Sequence, residues 1–345
     1  MPARSRPPRA VSSTARSTAG SRRTIWAVLN ADDLHCLRMA DHTKASRIAY
    51  VTMNPRHELV KKHVRGGGLA AVLEDGINGQ MITLYDKGVH LPLLWTHLIP
   101  ATLEGKALHN VQNAMFAATM AFAMGVKVEN IRQGLRTFDT SYFQVPGRMN
   151  VFDKLPFKVI LDYGHNPAAV QAMADLVQRL DCVGRRICLL SAPGDRRDED
   201  IRAIARIVAK SFDHVIVRRD DDPRGRQPDE VPKILEAELL ASGFPREQLQ
   251  LIVDEQQAIT ATLELAQPGD IVLLFADKIA RSWKQVIYFK NDGSQSNVAE
   301  REVEPAPMAQ TEGPISIDRE STALIEGLTL IQDERGVRLA REQDN

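Results

Sequence analysis

Phe157-Lys-Val-Ile-Leu-Asp-Tyr-Gly-His-Asn-Pro-Ala168 is the stretch on which the fold turns. Lys158 to Leu161 is an apolar run of strand length, and it ends on a carboxylate, Asp162. Asn166 can cap a following helix, and Pro167 suits the first turn, where a missing N–H costs nothing. Strand, polar crossover and capped helix are how an open parallel sheet presents side chains to a ligand at its carboxyl edge. The same residues also describe a plain, well-capped strand–helix junction, so the neighbouring segments must decide.

Outward from this stretch the pattern repeats. Strands are expected at 148–153, 157–161, 186–191, 214–218, 250–253 and 270–275, and helices at 167–180, 198–210, 229–242, 255–266 and 281–289. Such alternation predicts a doubly wound, mostly parallel sheet over residues 145–290. Val145-Pro-Gly147 punctuates the chain before it and is a hinge candidate. Upstream, residues 24–144 form a first unit. Strand-like runs lie at 25–29 and 47–51, and hairpin signals at Asp75-Gly76, Asn78-Gly79 and Lys87-Gly88 predict a small antiparallel sheet. Apolar residues at 111, 115, 118 and 122 predict a helix from Leu108 to Met124, with a second over 128–138.

Both ends read differently. Residues 1–23 hold six arginines and no acidic residue, a composition that cannot build a core, and are expected to be a disordered leader. Residues 291–345 are rich in Glu, Pro, Ser and Gln and are expected to be a flexible acidic tail, with a short helix conceivable over Thr322 to Ile331.

Composition narrows function by exclusion. The 345 residues carry 44 basic and 44 acidic side chains, so bulk charge gives no case for nucleic acid or membrane partners. Three cysteines, Cys36, Cys182 and Cys188, are too few for a disulfide framework or zinc site and read as reduced thiols of a cytoplasmic protein. No apolar run approaches the roughly 20 residues that span a bilayer. There is no G-x-x-x-x-G-K-[ST] to hold a triphosphate and no G-x-G-x-x-G at a strand–helix turn, which argues against a nicotinamide-dependent oxidoreductase.

What remains is a set of polar clusters just past successive strands: Asp162 to Asn166, Ser191 to Asp198, Arg218 to Arg226 and Ala276 to Arg281. A parallel sheet brings such loops to one edge, although each alone could be a solvated loop. Gly194-Asp-Arg-Arg197 precedes a helix, so an anion could sit against its N–H groups and an arginine fork, or the arginines could pair locally with Asp198 and Glu199. Asp220-Asp221-Asp222 concentrates three charges that a metal ion, Arg224 and Arg226, or a cationic substrate would relieve. His109-Asn110 opens the long helix, where the amide can cap it or read a base edge.

Together Val28-Leu-Asn-Ala-Asp-Asp33, His109-Asn-Val-Gln-Asn113, Gly134-Leu-Arg-Thr-Phe138, Pro146-Gly-Arg-Met-Asn150, Asp162-Tyr-Gly-His-Asn-Pro167, Pro193-Gly-Asp-Arg-Arg-Asp-Glu-Asp200, Asp220-Asp-Asp-Pro-Arg-Gly-Arg226 and Arg281-Ser-Trp-Lys-Gln-Val-Ile-Tyr-Phe289 resemble the Mur ligase superfamily. Within it they look most like the Mur-like module of the cyanophycin synthetase family, as does the end, Asp333 to Glu342. The resemblance implies an α/β fold: an incomplete Mur ligase central domain followed by a Rossmann-like, mostly parallel-sheet Mur ligase C-terminal domain. It also implies ATP- and Mg2+-dependent joining of arginine to the aspartate side chains of a poly-aspartate backbone through an acyl phosphate. Carried over position by position, Asn110 would contact adenine with His109 beside it, and Arg148 and Asp162 would hold ribose and phosphates. His165 would stand near the phosphoryl-transfer centre. Asp195, Arg196, Arg197, Asp220, Asp221, Asp222 and Arg224 would line the amino-acid pocket, where carboxylates suit a guanidinium.

Where a whole module of this kind has its P-loop, magnesium-binding acidic residues and active-site lysine, this sequence has its Arg/Ser-rich leader. The expectation is therefore a ligase by family that is inactive alone. The alternative is a non-catalytic nucleotide- or polymer-binding module that complements a separate chain carrying the missing half; association of copies is left open.

Overall fold

A computed structural model describes residues 24–290 and 328–341, and the expected leader lies outside them. Two sheets organise these residues. In the first, β1 (Trp26–Asn30), β2 (Arg47–Thr52) and β3 (Leu69–Gly76) run parallel, and β4 (Gly79–Asp86) and β5 (Val89–Trp95) continue antiparallel. The hairpins predicted from Asn78-Gly79 and Lys87-Gly88 are present. They do not make a separate antiparallel sheet, however, because β3 zips onto β2 and yields one mixed sheet.

Helices cover both faces of that sheet. α1 (Leu34–His42) and α2 (Glu58–Arg65) lie on one side over Leu29, Tyr50 and Val72, while α3 (Leu108–Ala123) and α4 (Val128–Thr137) bury Val111, Met115 and Ile131 against Ala71 and Leu84 on the other. The sequence reading anticipated α3 and α4 but not α1 and α2. Each of these is short and buries only two or three side chains, too few to announce a period. For α1 the sequence signal is the cap, Asp33 Oδ1 accepting the Cys36 N–H at 2.7 Å, whereas α2 follows His57 with no side-chain cap.

The second sheet runs in the order β10 (Leu249–Leu251), β9 (His214–Val217), β8 (Arg186–Leu190), β11 (Ile271–Phe275), β7 (Lys158–Asp162) and β6 (Asn150–Phe152), parallel except for β6. Its central strands are buried on both faces, as their unbroken apolar runs require. α5 (Pro167–Arg179), α6 (Asp198–Ser211) and α7 (Glu230–Ala241) pack on one face, α8 (Glu255–Leu265) and α9 (Ile279–Ile287) on the other. The alternation read from the sequence is thus the observed winding. Right at the junction of the two units, Ala107 before α3 is sunk into the second unit's core, and Lys106 pairs with Asp181 at 2.8 Å.

The expected tail needs correction. Residues 328–341 form a hairpin of β12 (Leu328–Asp333) and β13 (Gly336–Arg341), so Leu328 to Ile331 is strand and not helix; 322–327 lie outside the described residues. The physical reason is docking against the first unit: Val337 and Ala340 are buried, and Leu339 packs among the residues under α1 and α2. Arg338 is buried and pairs with Asp41 (3.3 Å) and Asp333 (3.1 Å), while the Arg335 carbonyl accepts the Ile48 N–H at 3.3 Å. His63, also buried, lies with Nδ1 3.2 Å from the Val337 carbonyl and its ring edge-on to Tyr50.

Gly336 holds φ +114°, and a Cβ there would lie 2.3 Å from the His63 ring. Gly336→Ala is therefore expected to lower stability by about 1–3 kcal/mol and to expose 328–341 to limited proteolysis. Burial also holds His63 below its ordinary 6.5, so below that pH the unfolded chain binds the extra proton. Protection of the hairpin should be full above about pH 6.5 and fall as pH drops towards the folded value; unchanged protection from pH 8 to 5 would contradict this.

Candidate functional site

Asp162 stands at the end of β7, and Asn166 caps α5 by accepting the Ala169 N–H at 2.9 Å, as the opening stretch predicts. The Asp162 carboxylate is nine-tenths buried, and Oδ2 accepts the Met149 N–H at 2.9 Å. Burial raises its pKa above the ordinary value, opposed by that N–H and by Arg148. Met149 has φ +51°, uncommon for a residue with a side chain. Its turn is pinned by the wholly buried Asn150, whose amide accepts the Gly147 N–H at 2.7 Å and donates to the Thr140 and Val145 carbonyls.

Through Met149 the chain links two distant residues. Its N–H serves Asp162, and its Sδ lies 3.9 Å from Asn110 Nδ2. Asn110 is no helix cap: the N-cap of α3 is Ala107, and Asn110 instead donates to the Ala101 carbonyl at 2.8 Å and accepts from Asn113 at 3.1 Å. His109 beside it is kept neutral by burial, which lowers its pKa. The Arg148 guanidinium lies 5.9 Å from the centre of the Tyr163 ring. His165 Nδ1 is 3.0 Å from the Tyr163 carbonyl; since a carbonyl only accepts, Nδ1 carries the hydrogen and Nε2 is left as the basic nitrogen of the neutral ring. From the Asn110 end, a cavity of about 430 Å³ runs between α3 and α4, lined by Asn113, Ala114, Ala118, Asn130 and Phe138. That is the size of a small-molecule site, apolar with a few amides.

On the other side of Asp162 the loops after β8 and β9 interlock. Gly194 approaches Pro223 so closely that a Cβ would fall 2.0 Å from the Pro223 carbonyl oxygen. Arg226 ties the pair together, donating to the carbonyls of Gly194 and Arg196 (both 2.7 Å) and pairing with Asp198 and Glu230. Asp195 accepts from Arg224 at 3.2 Å. Arg196 lies 3.8 Å from Asp195, whereas Arg197 is exposed and forks onto Asp200, a local pairing with a different partner from the Asp198 and Glu199 that the sequence suggested.

The acidic triplet is divided by the fold. Asp221 pairs with Arg281 at 2.8 Å, and Asp222 accepts the Arg224 N–H at 3.0 Å. Asp220 turns inward and is buried, hydrogen-bonded to the Asp277 carboxyl. Beneath it the wholly buried Arg218 reaches Asp277 (3.0 Å), Glu255 (3.2 Å) and the Phe275 carbonyl (2.9 Å), and Arg281 also bridges to Glu255. Burial and the neighbouring Asp277 push Asp220 up to about 7; burial would also raise Asp277, but hydrogen bonds from its neighbours and Arg218 hold it below the ordinary range. A cavity of about 10 Å³, room for about one water, lies between Tyr163, His165, Ser191, Asp220 and Asp277.

The fold thus gathers Asn110, Arg148, Asp162 and His165 on one side, and Asp195, Arg196, Asp220 and Arg224 on the other; Arg197, Asp221 and Asp222 face outward into local pairs. Sequence reasoning missed Arg218, Glu255, Asp277 and Arg281 as site residues. Arg218, Asp277 and Arg281 stood in the clusters after β9 and β11, and Glu255 in neither, but a charge destined for burial reads like one destined for solvent.

Residues 147–277 match the family described as Mur ligase, glutamate ligase domain. The chain is similar to the cyanophycin synthetase of Trichormus variabilis, 40% identical over 271 residues that cover 76% of this chain and 28% of that one. The cyanophycin synthetase of Synechocystis sp. is 37% identical over 257 residues, 74% of this chain and 28% of that one. The chain therefore spans 28% of the length of these curated relatives. A pseudomurein peptide ligase type C from Methanothermus fervidus superposes with a TM-score of 0.50 at 19% identity, covering 75% of this chain and 56% of that one, a likeness of fold.

Removing the guanidinium beneath the site leaves Glu255 and Asp277 buried without their cation. Arg218→Met is expected to cost about 3–5 kcal/mol in denaturant unfolding. A loss below about 1 kcal/mol would show that the network is relaxed by water and does not hold the edge together.

Proposed function

The chain carries a Mur ligase-like module of the cyanophycin synthetase kind, and from that premise we propose that it supplies the adenosine-binding and amino-acid-binding side of an ATP-dependent amide ligase. In the reaction proposed, the aspartate side chains of a poly-aspartate backbone are joined to arginine in the cytoplasm. The observation that carries this reading is the convergence of the loops after β7, β8, β9 and β11 on one edge, with Asn110 joined to Asp162 through Met149 beside them.

ATP, when bound, supplies the phosphoryl group that turns an aspartate carboxylate into an acyl phosphate. The adenosine end fits the residues present: Asn110 at the mouth of the 430 Å³ cavity offers an amide to a base edge, and Asp162 Oδ1 is not used by Met149 and can accept from ribose hydroxyls. Arg148, beside Asp162, is the cation this side offers to the phosphates. Mg2+ finds no fit of this kind, since the described residues contain no group of three His, Cys, Asp or Glu able to hold a metal; no step is routed through it. As the amine attacks the acyl carbon and phosphate leaves, His165 Nε2 accepts the amine's proton. Arg224, bonded to Asp195 and touching Tyr163, is positioned to receive the α-carboxylate of the amino acid.

A second reading, a binding or assembly module completed by a companion chain, draws on β1. This strand hydrogen-bonds only to β2 among the described residues and so offers a free edge. The two readings share their first step and diverge at turnover.

The test is a fluorescent ATP analogue titrated into the full chain, with Asn110→Ala and Asp162→Ala each expected to weaken binding about tenfold. The chain alone is expected to add no arginine to poly-aspartate and to begin doing so when mixed with a polypeptide carrying the triphosphate-binding elements. Absence of analogue binding, or binding indifferent to both substitutions, would overturn the reading; ligation by the chain alone would overturn its dependence on a companion.

A further inference from the structure

The first sheet has a cavity of its own, and none of its lining residues belongs to the edge described above. About 250 Å³ of space lies between α2 and the strands β3 and β4, on the face of the sheet opposite α3 and α4. The sequence builds its walls by simple periodicity. Val60, Lys61, Val64 and Arg65 recur at three- and four-residue spacing, so α2 turns one face to the cavity. Val72 and Glu74 are two apart on β3 and share the face of the sheet that meets it. The result is an apolar floor of Val60, Val64, Val72 and the Tyr85 ring, with charged and polar groups around it.

Those polar groups divide into two donors and two acceptors. Arg65 is exposed and has neither an ion pair nor a side-chain hydrogen bond among the described residues. Lys61 holds only Glu58, at 3.1 Å, a surface pair within one helical turn that contributes little. On the acceptor side, Glu74 takes hydrogen bonds from Thr83 at 2.7 Å and from Tyr85, and His90 Nε2 lies 3.1 Å away. A carboxylate has about four lone-pair sites, so one stays open, and no Lys or Arg is within ion-pair distance of Glu74 among the described residues.

His57 adds an independent observation. Its Nε2 lies 2.9 Å from the Ala31 carbonyl; since a carbonyl only accepts, Nε2 carries the hydrogen and Nδ1 of the neutral ring is left with a lone pair. That Nδ1 is buried and has no partner, in a residue that lines the same cavity. A buried acceptor of this kind calls for a donor.

The chemistry of an occupant follows by elimination. A simple anion would pair with Arg65 and Lys61 but leave Nδ1 unanswered and meet the charge of Glu74. A simple cation would leave the two helix cations without a partner. A molecule that carries both charges beside an apolar body completes all four groups and the floor. We propose that this cavity is a binding site for a free α-amino acid with a branched apolar side chain, its ammonium on Glu74 and His57 Nδ1, its carboxylate on Arg65 and Lys61, and its side chain on the valines. The volume of about 250 Å³ suits a ligand this small, since drug-sized ligands occupy roughly 300–1,000 Å³. A long cationic side chain finds no partner for its second positive charge among three valines, so this ligand differs from the amino acid of the ligase reading, on which the proposal does not rest.

The experiment is calorimetric titration of the full chain with L-leucine, isocaproate, isoamylamine and L-arginine. Isocaproate is leucine without the ammonium, and isoamylamine is leucine without the carboxylate. Leucine is expected to bind at least about tenfold more tightly than any of the other three. Arg65→Gln and Glu74→Gln should each weaken leucine at least about tenfold, and Val64→Phe, which fills the floor, should abolish binding. Arg65→Gln alters an exposed side chain with no partner, so its loss of binding is not a folding effect; circular dichroism and the melting midpoint check the other two. Leucine bound no more tightly than isocaproate or isoamylamine, or bound by Arg65→Gln as by wild type, would overturn the proposal. So would the absence of both heat and a shift in melting midpoint at millimolar leucine. Loss of leucine binding in Arg224→Ala would place the ligand at the second sheet's edge and overturn it equally.

Discussion

A guanidinium with no access to solvent governs the carboxyl edge of the second sheet. Arg218 leaves β9 pointing into the protein and, besides the neighbouring Arg219 carbonyl, uses acceptors far away in sequence: Glu255 opens α8, Phe275 ends β11 and Asp277 follows it. Burying such a charge is tolerable only with the whole set of acceptors in place, so the loops after β9 and β11 and the start of α8 have one shared geometry or none. Arg281 extends the set to Asp221 on the outside. The edge is rigid below for this reason and adjustable above, where the 191–198 and 220–226 loops meet through Arg226, Arg224 and Asp195.

A second fixed point, Asn150, does for the linker what Arg218 does for the sheet. By satisfying the Gly147 N–H and the Thr140 and Val145 carbonyls it forces Met149 into a left-handed conformation, and Met149 in turn presents its N–H to Asp162 and its sulfur to Asn110. The segment read from the sequence as a hinge thus ends on this clamp: Pro146 is exposed, while Gly147 is buried and bonded to Asn150. Strain at Met149 is the local cost of bringing Asn110 and Asp162 to opposite sides of one cleft.

The winding of the second sheet was legible because its strands are buried on both faces and its helices are long enough to show a period. Asn166 and Pro167 gave the α5 start directly. The first sheet was half legible: turn residues disclosed the hairpins, but nothing local says that β3 pairs with β2, since pairing is a tertiary choice. The docked hairpin at 328–341 was hidden because its partners, His63 and Asp41, lie far away in sequence. For the site, clusters were visible but their internal accounts were not. Asp220, Asp221 and Asp222 are chemically alike in the sequence, and only the fold makes the first a buried carboxyl and the other two loop anchors.

The central claim is that this one edge serves both ligands of the proposed ligase, nucleotide on the Asn110–Asp162 side and amino acid on the side of Asp195 and Arg224. Amide hydrogen–deuterium exchange of the full chain with ADP and L-arginine together tests it most directly. Slowed exchange confined to residues 147–167, 191–198, 218–226 and 276–281, with the start of α3, is the result predicted. Slowing elsewhere, or none at saturating ligand, would contradict it.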